Sequence, residues 1–161
     1  MKIFKKILFP VDFSEVSPKI APWVLTVAKT FDAEIHILFV ARRLEYFSSV
    51  YLETGAISDF QDGVIKGAEA KMEEFVMLHF KEYPSCKTGV VLGDAGEEIL
   101  NYVESEEIDL VILGTHGRKG IERIIFGSVA DKVVKMSCAP VLSINPYKVP
   151  SMEIDAAMTQ E

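Results

Sequence analysis

Short runs of apolar residues alternate along the chain with longer stretches in which apolar residues recur every three or four positions. The short runs predict five β-strands, at residues 6–11, 34–40, 87–93, 109–114 and 140–144. The longer stretches predict four helices, because a spacing of three to four residues places side chains on one helix face. Strict alternation of strands and helices is typical of βαβ units. The pattern therefore predicts a single doubly wound, three-layer α/β/α domain built on a parallel sheet.

The start of the first helix and the connection before the second helix need separate arguments. Ser17 and Pro18 predict the start of the first helix, since serine caps helices and proline suits the first helical position. Residues 41–59 lack periodicity and are predicted to form a long irregular connection, of the kind that is usually functional or disordered. A second helix is predicted to follow and to end at Pro84. Its core-facing stripe is predicted to contain Phe60, Val64, Ala68, Phe75 and Leu78 or His79.

Composition and charge narrow the possible functions. The chain has 161 residues and a formal net charge of −7, which fits one globular domain and argues against a general nucleic-acid surface. Its apolar runs are too short to span a membrane, so we expect a cytoplasmic protein without a membrane partner. Cys86 and Cys138 have no metal-site or disulfide spacing and predict reduced, buried thiols. Residues 146–161 contain prolines and no period, which predicts a poorly ordered tail after a domain of residues 1–145.

Two candidate ligand positions follow the first two strands. In an open parallel sheet, ligands bind beyond the carboxyl ends of the strands, where the strand order reverses. Asp12 comes directly after the first strand, and its carboxylate could bind a ribose hydroxyl or a metal carried by a nucleotide. It could equally form the turn before the first helix. Val40 ends the second strand, and its backbone could hydrogen-bond a flat base or belong only to the strand.

Residues 109–131 concentrate glycine after the fourth strand. Gly114 and Gly117 permit close backbone approach, and Arg118 supplies a guanidinium group suited to phosphate. Gly127 and Ser128 begin the fourth helix, where N–H groups and the helix dipole favour an anion. The glycines could instead serve only turns, with Ser128 as a helix cap, and spacing alone does not decide between these interpretations. The inward face of this helix is predicted to contain Val129, Val133 and Val134.

A specific motif goes beyond this spacing argument. The chain contains neither a P-loop nor the glycine fingerprint of dinucleotide-binding domains. Gly114, two residues, Gly117, nine residues and then Gly127-Ser128 match the G-2x-G-9x-G-[ST] motif of ATP-binding universal stress proteins. The segments "ILFPVDFS" and "GTHGRKGIERIIFGSVADKVVK" also resemble that family, and the resemblance extends over about residues 3 to 145.

The resemblance implies a fold, a ligand and an assembly. It implies the adenine nucleotide alpha-hydrolase-like, Rossmann-like fold with strand order 3-2-1-4-5 and ATP bound across strands one and four. We expect Mg²⁺ or Mn²⁺ to accompany the ATP. A homodimer is implied through the fifth strand, at Val141, Leu142, Ser143 and Ile144. The implied ATP contacts are Pro10, Val11, Asp12, Val40, Gly114, Thr115, Gly117, Arg118, Gly127, Ser128 and Val129.

The function expected from these features is that of a nucleotide-dependent regulatory module of the stress response. Residues 41–59 and the tail would report the ATP state to a downstream protein partner. His116 has no partner carboxylate at a suitable spacing, so no catalytic residue is assigned and at most slow hydrolysis is expected. Two alternatives remain open: an ATPase or nucleotidyl transferase on the same fold, and a structural dimer that binds no nucleotide.

Overall fold

The computed structural model describes residues 3–43, 54–116 and 126–150. Within these ranges, strands and helices alternate as the hydrophobic pattern predicts. The elements in chain order are β1 (Lys6–Val11), α1 (Val16–Phe31), β2 (Glu34–Ala41), α2 (Thr54–His79), β3 (Cys86–Leu92), α3 (Ala95–Ser105), β4 (Leu110–Gly114), α4 (Ser128–Met136) and β5 (Val141–Ile144).

The strands of the described residues form one five-stranded parallel sheet with the order β3-β2-β1-β4-β5. Apolar side chains cover both faces, as expected for a parallel sheet between helices. One core lies between the sheet and the helices α1 and α2, and includes Phe9, Ile37 and Phe75. The other lies under α3 and α4, and includes Leu38 and Val133. The predicted fold class is confirmed.

The start of α1 differs from the prediction. The helix begins at Val16, and Ser17 lies inside it with a buried side chain. Glu15 is the N-cap residue and makes no side-chain cap, while the hydroxyl of Ser14, one residue earlier, accepts the Val16 N–H at 3.3 Å. Ser17 instead donates its hydroxyl to Asp12 Oδ1 at 3.3 Å. The prediction that Ser17 caps the helix was therefore wrong, because a turn immediately after β1 starts the helix earlier.

Helix α2 begins inside the predicted irregular connection. Its first residue is Thr54, so the connection was predicted too long. Phe60 is 57% exposed and Leu78 is 70% exposed, whereas Ala68 and Phe75 are buried against the core. The predicted stripe is thus correct in the second half of the helix, at Ala68, Phe75 and the alternative His79, which is half-buried, and wrong at Phe60, Val64 and Leu78. Periodicity shows which residues share a face, but the sheet covers only part of that face.

The predicted inward face of α4 is also narrower than expected. Val133 is fully buried, but Val129 and Val134 are 38% and 43% exposed. Helices in this fold lie on the protein surface, so each presents only one stripe to the core. None of the helices in the described ranges combines the length and the hydropathy required to cross a membrane.

The two cysteines occupy different environments. Cys138 is exposed after α4, so the prediction of a buried thiol was wrong there. Cys86 is half-buried at the start of β3. Burial, with a smaller contribution from the Glu34 carboxylate, raises the pKa of the Cys86 thiol to about 11. The Cys86 thiol therefore stays protonated at neutral pH and is a poor nucleophile.

Candidate functional site

The hydrogen-bonded ladder between β1 and β4 is shorter than the ladder between β1 and β2. The β1–β4 register contains the pairs Ile7–Leu110 and Leu8–Val111. The β1–β2 register continues to Val11–Phe39. The carboxyl ends of β1 and β4 lie where the strand order reverses, which is where open α/β sheets have their ligand-binding crevice.

Pro10 explains why the β1–β4 ladder ends where it does. The Lys5 carbonyl accepts the Glu34 N–H at 2.8 Å on the β2 side, and the Lys6 carbonyl accepts the Asp109 N–H at 2.9 Å on the β4 side. Backbone groups alternate along a strand, so Pro10 faces β4 like Lys6. Proline has no N–H and cannot extend a ladder. It therefore ends the pairing with β4 while the pairing with β2 continues.

The same alternation directs the backbone of Val40 toward β1. The Ile35 N–H donates to the Ser85 carbonyl at 2.9 Å, and the Ala41 carbonyl accepts the Gly93 N–H at 2.8 Å, so odd positions of β2 face β3 and its flanking residues. Val40 consequently faces β1. The pair Val11–Phe39 is the last of the β1–β2 register, so Val40 lies one residue beyond it, at the carboxyl edge where the sequence predicted a contact with a planar base.

Asp12 forms the turn that leads from β1 into α1. Its Oδ1 accepts the Ser14 N–H at 2.9 Å and the Ser17 hydroxyl at 3.3 Å. Its own N–H donates to Ser17 Oγ at 3.4 Å. The turn-forming role left open by the sequence is thus observed. These bonds also fix a half-buried carboxylate at the end of β1, beside the crevice.

Phe13 is a site-adjacent residue that sequence reasoning missed. Its φ is 56°, a left-handed conformation that is uncommon for a bulky residue. Its ring stacks on Phe39 with centroids 4.6 Å apart. Such backbone strain persists only where the surrounding structure enforces it. The stack holds the turn after β1 against β2 and thereby fixes the position of Asp12. No signal in the sequence distinguishes this conformation from ordinary backbone.

Gly114 is required by packing rather than by a left-handed backbone. A Cβ at this position would lie 3.0 Å from Val16 Cγ1 and 3.3 Å from the His116 carbonyl oxygen. The first distance is at the limit of real contacts, so α1 can pack against the end of β4 only because the side chain is absent. The sequence suggested close approach to a ligand, whereas the observed close approach is to α1.

Thr115 joins the end of β4 to the start of α4. Its buried backbone N–H donates to the Ile144 carbonyl at 2.9 Å, and its carbonyl accepts the Gly127 N–H at 2.8 Å. The amino terminus of α4 is therefore held beside the carboxyl ends of β4 and β5. The first N–H groups of a helix have no partner within the helix and carry the positive end of its dipole.

Gly127 is the N-cap of α4, and its missing side chain is not explained by packing. It has φ −69° and ψ 154°, and makes no side-chain cap. Among the described residues, a Cβ there would meet only the Thr115 carbonyl oxygen, at an ordinary 3.5 Å. Ser128 and Val129 follow it in the exposed first turn. No packing contact with the described residues therefore requires a glycine at this helix start.

The remaining predicted site residues are of two kinds. Val11 is buried at the last position of β1. Gly117 and Arg118 lie outside the described residues. Within the described ranges, no three histidine, cysteine or acidic side chains are close enough to hold a metal ion.

The fold defines a class: Rossmann-like, doubly wound α/β proteins, whose ligands bind where the strand order reverses. Comparison with known proteins then identifies the family. The model of the universal stress protein family matches residues 3–145. The chain belongs to the universal stress protein family.

Individual relatives agree with this assignment. The universal stress protein MJ0531 of Methanocaldococcus jannaschii is 31% identical over 91% of this chain and 85% of its own length. The solved structure of MJ0577 superposes with a TM-score of 0.79 at 29% identity, covering 89% of this chain and 97% of that chain. A universal stress protein from Archaeoglobus fulgidus, solved in complex with dAMP, shares the fold with a TM-score of 0.60 at 16% identity, covering 89% of this chain and 100% of that chain.

Proposed function

We propose that this chain is an ATP-binding universal stress protein that acts as a homodimeric, nucleotide-dependent regulatory module. The observation that carries the proposal is that two groups lie at the carboxyl edge of the adjacent strands β1 and β4. Asp12 holds a fixed carboxylate at the end of β1, and the Thr115–Gly127 hydrogen bond places the amino terminus of α4 at the end of β4. A carboxylate suits ribose hydroxyls, and a helix start suits phosphate.

The site offers a separate group for each part of the nucleotide. The peptide groups of Val40 suit the edge of the adenine base, and Asp12 suits the ribose. Gly127, Ser128 and Val129 supply backbone donors for phosphate oxygens. Gly117 and Arg118 complete the motif in the sequence. The dAMP complex of a family member supports an adenine nucleotide as the ligand class.

Regulation is favoured over catalysis by the chemistry of the described residues. Phosphoryl transfer requires a group that positions or deprotonates the attacking nucleophile. Asp12 is engaged in the turn before α1, and His116 Nδ1 lies 2.8 Å from Thr115 Oγ1. We therefore expect at most slow hydrolysis. Sustained ADP production that the change Asp12→Ala abolishes would favour the enzyme alternative instead.

Direct nucleotide analysis tests the proposal. The freshly purified protein is denatured and its released nucleotides are separated chromatographically, and ATP with Mg²⁺ is titrated calorimetrically into nucleotide-free protein. We expect co-purified adenine nucleotide or a saturable ATP isotherm. A protein that carries no adenine nucleotide and gives neither heat nor a thermal shift with ATP would instead be the structural dimer without a ligand.

The dimer is proposed through β5. This strand lies at the edge of the sheet and pairs with β4 on one side. The Pro140 and Ile144 carbonyls face β4, since they accept the N–H groups of Val111 and Thr115. Alternation then directs the backbone of Val141 and Ser143 outward, where an edge strand readily pairs with another chain. The 40% exposure of Leu142 adds an apolar contact for the partner.

Ser143→Pro is expected to convert the dimer to a monomer at micromolar concentration. The change removes an outward N–H and leaves the bonds to β4 in place. Ser143→Ala is the matched control and should remain dimeric. Sedimentation equilibrium measures the state, and circular dichroism confirms that both variants are folded. A Ser143→Pro protein that is folded and still dimeric would show that the subunits associate elsewhere.

A further inference from the structure

Gly93, the residue that follows β3, leaves room for a carboxylate at the carboxyl edge of the sheet. Its N–H donates to the Ala41 carbonyl at 2.8 Å, which ties it to the end of β2. A Cβ at Gly93 would lie 2.5 Å from Glu98 Oε1 and 2.6 Å from Glu98 Cγ. Both distances are shorter than real contacts to a Cβ, so the Glu98 side chain occupies the space that a side chain at Gly93 would need.

The start of α3 determines which way Glu98 points. Asp94 is the N-cap of this helix, and its side chain accepts the Glu97 N–H at 3.0 Å. Glu97 is exposed, and its Oε1 lies 3.3 Å from Nζ of Lys132 in α4. Glu98 is half-buried and lies against Gly93. Two consecutive glutamates of one helical turn thus have different neighbours: Glu97 faces α4, and Glu98 packs on the end of the sheet.

Glu98 lies on the same side of the sheet as the start of α4. Val40 and Val91 both pack against the core under α3 and α4. Side chains alternate along a strand, so position 93 faces the same side as Val91. The contact between Glu98 of α3 and the Cβ position of Gly93 agrees with this alternation. The Glu98 carboxylate and the proposed phosphate donors of α4 therefore approach the carboxyl edge from one side.

The groups proposed for the nucleotide follow the strand order β3-β2-β1-β4. Asp12, at the end of β1, is proposed for the ribose, and Val40, at the end of β2, is proposed for the base. Gly93, at the end of β3, lies one strand spacing of about 4.8 Å beyond Val40. A purine whose ribose lies at Asp12 therefore directs the ring edge opposite its sugar toward β3. This edge carries the substituent at position 6 of the purine.

We propose that Glu98 is a specificity-determining residue that selects adenine over 6-oxopurines. The inference rests on the proposed function and deepens it. An ionised carboxylate only accepts hydrogen bonds. Adenine has an amino group at position 6, which donates, whereas guanine and hypoxanthine have an oxygen there, which accepts. Glu98 therefore accepts a hydrogen bond from the amino group of ATP and repels the 6-oxygen of GTP or ITP.

The test compares the ATP and ITP affinities of the full chain, measured calorimetrically with Mg²⁺, for the wild type, Glu98→Gln and Glu97→Gln. ITP carries an oxygen in place of the 6-amino group of ATP. We expect the wild type to bind ATP at least about ten-fold more tightly than ITP, as a hydrogen bond to a charged group provides. A glutamine amide both donates and accepts, so Glu98→Gln should reduce this preference to about two-fold or less.

Glu97→Gln is the matched control, because it removes the same charge from the same turn of α3. It should keep the wild-type preference for ATP, and circular dichroism confirms that both variants are folded. A wild-type protein that binds no ATP overturns the proposed function and this inference with it. If the wild type binds ATP and ITP equally well, or if Glu98→Gln keeps the full preference, only the role of Glu98 is overturned. An equal loss of preference in Glu97→Gln would assign the effect to the net charge of α3 and also overturn that role.

Discussion

Gly127→Asp is expected to lower ATP affinity by at least about 100-fold while leaving the fold as stable as before, because like charges brought together in a binding site cost several kcal/mol. The new carboxylate would stand at the amino terminus of α4, where the phosphates are proposed to bind. Aspartate is among the best N-cap residues, and the room around a Cβ at Gly127 is ordinary. The free energy of unfolding should therefore stay within about 0.5 kcal/mol of the wild-type value, or rise.

Gly127→Asn is the matched control for Gly127→Asp. Asparagine has nearly the same shape and caps helices equally well, but it carries no charge. Calorimetric titration with ATP and Mg²⁺ should show a much smaller loss of ATP affinity for Gly127→Asn than for Gly127→Asp. Equal losses of ATP affinity in the two variants would mean that the site requires the space left by the missing side chain, and that the added charge has no effect of its own. Wild-type affinity in Gly127→Asp would place the phosphates somewhere other than the start of α4.

Gly114→Ala is expected to destabilise the protein by about 1–3 kcal/mol, the usual cost of adding a methyl group where there is no room. The added Cβ would press on Val16 and on the backbone at His116. To relieve that contact, α1 must move away from β4. Denaturation by guanidinium chloride, followed by circular dichroism, measures the change in the free energy of unfolding.

Gly63→Ala provides the opposite control. Gly63 lies on the exposed side of α2, and a Cβ there meets nothing within 4 Å. Alanine is the better helix former by about 1 kcal/mol, so this variant should be more stable than the wild type. A Gly114→Ala protein as stable as the wild type would contradict the proposed packing reason for that glycine.

The sequence predicted the elements well wherever burial on one face leaves a regular spacing. The five strands and the centres of the four helices lie where the apolar pattern placed them. Helix ends were less predictable, because Ser14 and Asp12 start α1 through bonds that spacing does not reveal. The exposed amino-terminal end of the α2 stripe was missed for another reason: a sequence shows that a face is apolar, but not how far the sheet extends beneath it.

The candidate site was likewise predicted only in part from the sequence. The glycine motif was visible in the sequence and resembled that of one family, which determined the family and the expected ligand class. Only the tertiary structure assigned different reasons to its glycines, since Gly114 makes room for α1 and Gly127 makes room for nothing else in the described chain. These reasons depend on distances between segments far apart in sequence.

The chain by itself thus determined an alternating α/β domain and the positions of the residues at its strand ends, because local periodicity and motif spacing are properties of sequence. The tertiary structure decided where the pairing between neighbouring strands stops and which segments meet at the carboxyl edge of the sheet. Pro10 ends a ladder only because β4 is its neighbour, and α4 starts beside β4 only because Gly127 bonds to Thr115. Both effects arise from hydrogen bonds and contacts between residues that only folding brings together.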